Sequence, residues 1–260
     1  MLKRLILRQD RILSPQVYPF TVPAIGSLTE LRFSPARVTF FTGENGSGKS
    51  TLLEAIAAHY GFGREGGTRN FQFSTTESNH TVEPLVQAMQ MAFDNRTGEG
   101  FFLRAESLFN VATHIDELDA DGFGPRIVDS YGGVSLHTRS HGETFFTVLK
   151  AKFRRNGLFL LDEPEAALSP HRQLAFLSLM YETVTRFPNA QFLVSTHSPI
   201  LLGYPGAQIF SFDGDTIHEI GCEESMPWQV YRRFLADPGA AFEDATAQML
   251  PLFRGLDGDA

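Results

Sequence analysis

The grouping of apolar and polar residues predicts the elements of this chain. Residues 2–7 alternate basic and apolar side chains, a strand pattern, and further strands are expected at 28–33 and 37–42, where VTFF is short, apolar and β-prone. Glycines follow, then the apolar-periodic run LLEAIAAHY at 52–60, a helix. Helical patterning recurs at 83–93, 106–118, 142–153 and 226–235, and a short strand is expected at 100–103. The apolar runs at 158–161 and 192–195 fit strands buried on both faces. Ser169-Pro170 reads as N-cap and first residue of a helix whose Leu174, Leu177, Tyr181 and Val184 form a stripe expected to face the core. A hairpin is expected from 208–212 through Asp213-Gly214 to 216–220. Residues 61–82 and 119–133 are polar and glycine-dotted, and 255–260 reads as a frayed tail. Strands alternating with helices in this way predict an α/β fold with a largely parallel sheet.

Composition narrows the class. A chain of 260 residues, 42% hydrophobic and 20% charged, is an ordinary globular chain long enough to bury a substantial core. Its 24 Phe against 6 Tyr and 1 Trp place most rings in that core, because Phe has no polar tip. The single cysteine, Cys222, excludes an intrachain disulfide and a cysteine metal cluster and fits a reducing cytosol. No apolar run reaches the roughly 18 to 20 residues of a spanning helix. Charges at Arg8, Asp10 and Arg11 interrupt the basic, apolar start too early for a signal peptide, so a soluble, cytoplasmic protein is expected. The net charge of −8 argues against indiscriminate nucleic-acid binding.

Three motifs carry chemistry. Gly43-Glu44-Asn45-Gly46-Ser47-Gly48-Lys49-Ser50 fits G-x-x-x-x-G-K-[ST] between an apolar strand and an apolar-periodic helix. Its glycines let backbone N–H groups approach phosphate oxygens, the helix adds its positive end, Lys49 reaches the outer phosphates and Ser50 suits Mg2+. Next, LFLLDEP ends an apolar strand in Asp162 and Glu163, where ligands of a parallel sheet sit. Asp162 suits Mg2+, directly or through water, and Glu163 suits a general base that activates water. Finally, His197 in STHSP follows another buried strand and can bridge a γ-phosphate and that base.

The stretch HTRSHGETFF, residues 137–146, is open to three readings on its own. His137 and His141 could share a helical face and hold a metal. The run could be a polar turn opening a helix. Or Ser140, His141, Gly142 and Glu143 could be half of a nucleotide site completed by a second copy of the chain.

GENGSGKST, SHGE, LFLLDEPEAALS and STHSP, in this order, resemble the ABC-type ATPase family, and more narrowly its soluble single-chain AAA-family ATPases outside membrane transport. The resemblance spans residues 37–200. It implies a P-loop NTPase fold with an ABC-type ATPase core, a mostly parallel sheet flanked by helices, with 80–155 as an inserted helical subdomain in a single domain of 1–260. It implies ATP and Mg2+ as ligands, with Gly43 to Thr51 as the phosphate loop. Ser140 and Gly142 stand in the signature motif, Ser50 and Asp162 at the metal, Glu163 as base and His197 as switch histidine. It further implies a homodimer formed on ATP, in which each nucleotide lies between one chain's phosphate loop and the other's signature, so that the third reading of HTRSHGETFF prevails.

This chain departs from the family pattern. His141 replaces the usual first signature glycine and Glu143 the usual glutamine, and Ala166-Ala167-Leu168-Ser169 lacks the usual loop aspartate. Glu106 or Gln72 could occupy the place of the linking-loop glutamine, and Tyr18 or Phe20 that of an adenine-stacking ring. The spacing from Lys49 to Ser140 leaves no room for long coiled-coil arms, and too little chain follows Pro199 for an attached nuclease domain. The expectation is ATP hydrolysis that drives conformational change in an unidentified protein partner. The rival expectations are an ATP-binding subunit of a membrane transporter and an ATP-dependent DNA-associated switch in repair or phage defence. Lys150, Lys152, Arg154 and Arg155 could serve the latter as a basic patch, although cations ending a helix complement its dipole without any ligand.

Overall fold

The computed structural model describes residues 1–63, 67–68, 71–72, 81–105 and 141–254. Its centre is an eight-stranded sheet in the order β11-β10-β3-β9-β8-β7-β4-β5. The strands are β3 (Val38–Thr42), β4 (Gly67–Thr68), β5 (Phe71–Gln72), β7 (Gly100–Arg104), β8 (Gly157–Asp162), β9 (Ala190–Ser195), β10 (Gln208–Ser211) and β11 (His218–Ile220). The run β10-β3-β9-β8-β7 is parallel; β11 and the β4–β5 pair join the edges antiparallel. A smaller antiparallel sheet, β2-β1-β6, is made of β1 (Leu2–Leu7), β2 (Glu30–Arg32) and β6 (Met89–Phe93).

Every residue of β3, β8 and β9 is buried, as the apolar runs require, because helices cover both faces of the sheet. Successive side chains point to opposite faces. Phe41, Phe102, Leu160 and Leu193 thus meet α2 (Lys49–Tyr60), the short α1 (Pro23–Gly26) and the small sheet. Phe40, Phe101, Phe159 and Phe192 meet α4 (His141–Lys152) and α5 (Pro170–Arg186). The Phe192 ring lies 4.8 Å from Phe153 and 5.0 Å from Phe159, an aromatic cluster that fixes α4 on the sheet. The remaining helices are α3 (Glu83–Ala88), α6 (Pro199–Leu202), α7 (Met226–Ala236) and α8 (Pro238–Arg254). None among the described residues is long and apolar enough to cross a membrane.

The structure corrects three expectations. The helix expected at 83–93 ends at Ala88, and Met89–Phe93 is instead a strand paired with β1, where the ladder outweighs local helical spacing. In α5, Val184 is buried and Leu177 partly so, but Leu174 and Tyr181 are 54% and 64% exposed. The buried arc is set by Phe176 and Met180, which pack on the sheet, and it includes Gln173 and Thr183. Finally, α8 runs through most of a stretch for which no helix was expected. The helix expected at 106–118 lies outside the described residues.

Candidate active site

The sheet order brings three distant motifs to one edge. β8 and β9 are neighbours of each other, β3 lies beside β9, and all three run the same way, so the loops that follow them open on the same side. The loop after β3 needs its glycines. Gly48 has φ 102°, and a Cβ there would stand 2.9 Å from Ile25 Cγ1; Gly43 has φ 143° beside Asp213. The loop is held from outside as well, since Asp213, just after β10, accepts the Glu44 N–H at 2.8 Å. Lys49 is buried and curls back on the loop, donating to the Gly43 and Glu44 carbonyls at 2.7 and 2.9 Å.

Asp162 is the hub. Its Oδ1 accepts from Ser50 Oγ at 2.9 Å and from Ser195 Oγ, and its Oδ2 accepts from Arg104 Nε at 3.2 Å. Glu163 takes a left-handed conformation, φ 49° and ψ 53°, costly for a residue with a Cβ. Two bonds hold it there: its N–H donates to the carbonyl and to the hydroxyl of Ser195 at 3.1 and 3.2 Å. This turn places Glu163 Oε1 3.6 Å from His197 Nε2. The loop after β9 is fixed by Glu165, which accepts the His197 backbone N–H at 2.6 Å.

Burial lowers the pKa of His197, helped by the Lys49 charge and opposed by Glu163, so its ring is neutral at neutral pH. Burial likewise lowers the Lys49 pKa, countered by Glu163, Asp162 and Asp213. Buried atoms without a hydrogen-bond partner include Ser47 Oγ and His197 Nε2. Both can donate, both lie on the phosphate-loop edge, and a phosphate's oxygens would satisfy them. Ser50 and Asp162, a hydroxyl and a carboxylate already at hydrogen-bond distance, form the oxygen-only donor set that suits Mg2+.

Thus Gly43 to Thr51, Asp162, Glu163 and His197 come together as the sequence implied. Ser140 lies outside the described residues, as do His137 and Glu106; His141 and Gly142 open α4. Gln72 is on edge strand β5, with β4 and β7 between it and β8. Phe20 is a core residue, 6% exposed, whereas Tyr18 is 43% exposed and its hydroxyl is 2.7 Å from Thr51 Oγ1. Of the basic cluster, Lys150 lies over the Phe146 ring, Lys152 over Phe101, and Arg155 pairs with Glu99. Sequence reasoning missed Arg104, Glu54, Glu165 and Asp213. For Arg104 the signal exists only in the fold, as the register β7 shares with β8.

A family profile described as an AAA domain matches residues 24–152, and a second, described as "AAA domain, putative AbiEii toxin, Type IV TA system", matches 127–203. Solved structures similar to this chain include the SMC head domain from Thermotoga maritima, 16% identical over 85% of this chain and 98% of that one, with a TM-score of 0.46. Another is cbiO1 from Clostridium perfringens, described as part of the ABC transporter complex cbiONQ. It is 16% identical over 83% of this chain and 90% of that one, also with a TM-score of 0.46. No curated protein matches the sequence.

Proposed function

We propose that this chain, which matches AAA-domain profiles over 24–152 and 127–203, is an ABC-type P-loop ATPase that binds Mg·ATP, closes as a homodimer around it and hydrolyses it in the cytoplasm to drive conformational change in a protein partner. The observation that carries this reading is the Glu163–His197 pair standing beside Lys49, Ser50 and Asp162 on one sheet edge. The loop N–H groups, Ser47 and Lys49 bind the phosphates, and Tyr18, anchored on Thr51, is the ring available to the base. Ser50 and Asp162 hold Mg2+, which when bound neutralises charge on the phosphate oxygens. Glu163 accepts the proton of the attacking water. The neutral His197 orients Glu163 or donates from Nε2 to the γ-phosphate. The second copy contributes Ser140 and the N–H of Gly142 at the start of α4, where helix N–H groups suit an anion.

The test is Glu163→Gln. We expect retained ATP binding, a kcat lower by about 10²- to 10⁴-fold, and a dimer trapped by Mg·ATP. Size-exclusion chromatography showing only monomer with Mg·ATP, for both the native chain and the variant, would remove the sandwich mechanism. Proteins co-purifying with the trapped dimer identify the partner.

A further inference from the structure

Arg104 is a cation at this edge that no motif uses. It ends β7 in register with Asp162 on β8, so the two side chains leave the sheet on the same face. Its Nε donates to Asp162 Oδ2, and its Nη2 stands 3.5 Å from Glu54 Oε2. Glu54 lies one helical turn after Ser50 on α2, on the same side of the helix. Both carboxylates are buried, each 7% exposed. Arg104 also lines a cavity of about 90 Å³ together with Ser50, Asp162 and Glu163, room for an ion and a water or two at about 30 Å³ per water.

The Asp162 and Glu163 carboxylates and the Ser50 hydroxyl around such a cavity are, by ligand chemistry alone, a site for a hard cation. Here the Arg104 guanidinium, held between Asp162 and Glu54, supplies positive charge from within the chain. We propose that Arg104 is a specificity residue that makes this pocket take Mg2+ coordinated to ATP and reject free Mg2+. The inference rests on the Mg·ATP reading above. Without the arginine the cluster of Glu54, Asp162 and Glu163 is more negative by one charge, and the affinity of a hard-cation site rises with its carboxylate charge. Arg104 also occupies Oδ2, leaving the metal only Oδ1, which Ser50 and Ser195 already share. The missing ligands and the missing negative charge must then come from the phosphates. A bare dication meets a fixed cation a few ångströms away, whereas Mg2+ on ATP brings compensating charge with it.

The experiment uses the full chain without nucleotide and compares native protein, Arg104→Gln, Arg104→Lys and the double variant Arg104→Gln/Glu54→Gln. Thermal unfolding and Mn2+ electron paramagnetic resonance are the readouts. Native protein and Arg104→Lys are expected to bind Mn2+ weakly and to unfold at a temperature that millimolar Mn2+ or Mg2+ does not change. Arg104→Gln is expected to be destabilised by loss of the positive charge beside Asp162 and Glu54, to be restored by either ion, and to bind Mn2+ at least about tenfold more tightly than native protein. The double variant, with the net charge returned to its native value, loses that gain. Folding of Arg104→Gln that depends on Mn2+ supports the proposal. A variant that is destabilised or unfolded alike with and without divalent ions, or a double variant that keeps the gain, overturns it. A failure of the ATPase reading shows up separately, in the native protein's binding of a fluorescent ATP analogue.

Discussion

At the edge where β3, β8 and β9 end, Lys49, Glu54, Asp162, Ser195, Thr196 and Ser198 are buried, while along α7 and into α8, Met226, Val230, Tyr231, Phe234, Leu235 and Phe242 are about half exposed or more. Burial of polar groups and exposure of large apolar ones are the two departures from the usual inside–outside sorting that carry information. At the edge, each buried polar atom costs desolvation, and the cost is offset because the groups bond one another in a fixed arrangement. No residue of α7 is buried, and this helix rests chiefly on α8, with Arg233 and Asp244 clasping the two. The first region therefore specifies chemistry at the expense of stability, and the second contributes little to either within one chain.

Ser195→Ala should break the edge most clearly. The hydroxyl donates to Asp162 and accepts the Glu163 N–H, so its loss unties the proposed metal carboxylate and the proposed base together. A hydrogen bond to a charged group contributes about 1.5–3 kcal/mol, which predicts a Tm lower by roughly 3–12 °C in calorimetry. Mg·ATP affinity should fall alongside. An apolar replacement at a fully buried position that left both unchanged would mean that the polar cluster does not organise the site.

The legibility of the two regions in the sequence differs for the same reason. The glycine-rich loop of 43–51, the Asp162–Glu163 pair and His197 in STHSP are each contiguous in sequence, and each follows a buried strand, so local patterning located them. Arg104 and Asp162, 58 positions apart, meet only through strand register, and Glu165 meets the His197 backbone only after both loops are placed. Local spacing also misled where tertiary pairing decided the outcome: Met89–Phe93 has helical spacing yet completes a ladder with β1. In α5 the apolar residues lie on more than one side, and only the position of the sheet selects Phe176 and Met180 over Leu174 and Tyr181.

Glu165 offers a smaller effect, with a sign set by pH. Burial pushes its carboxyl pKa up, against the pull of the His197 backbone N–H, and its Oε2 is buried without a partner. The unfolded chain releases that proton at an ordinary glutamate value, and the folded chain holds it to higher pH. Stability from this group is thus present at acid pH and is lost as pH rises through the interval between the two values. Glu165→Gln removes the ionisation while its amide oxygen can still accept from His197. Its Tm relative to native protein should be higher at pH 8 than at pH 4. A difference independent of pH would show that Glu165 is not desolvated, and that the edge is wetter than its geometry implies.

The smallest effect is expected in the helix pair, and it tests the other half of the comparison. Phe234→Ser and Val230→Ser replace residues that are 50% and 54% exposed on a helix with nothing buried. In an isolated chain each removes little apolar area from the interior, so urea unfolding should change by no more than about 0.5 kcal/mol. The same measurement with Mg·ATP present asks whether a second chain covers this surface. A loss of about 2 kcal/mol or more that appears only in the nucleotide-bound dimer would place these side chains in its interface. The same loss without nucleotide would show that they are already covered, and the contrast between a buried polar edge and an uncovered apolar arm would then not hold for the protein in solution.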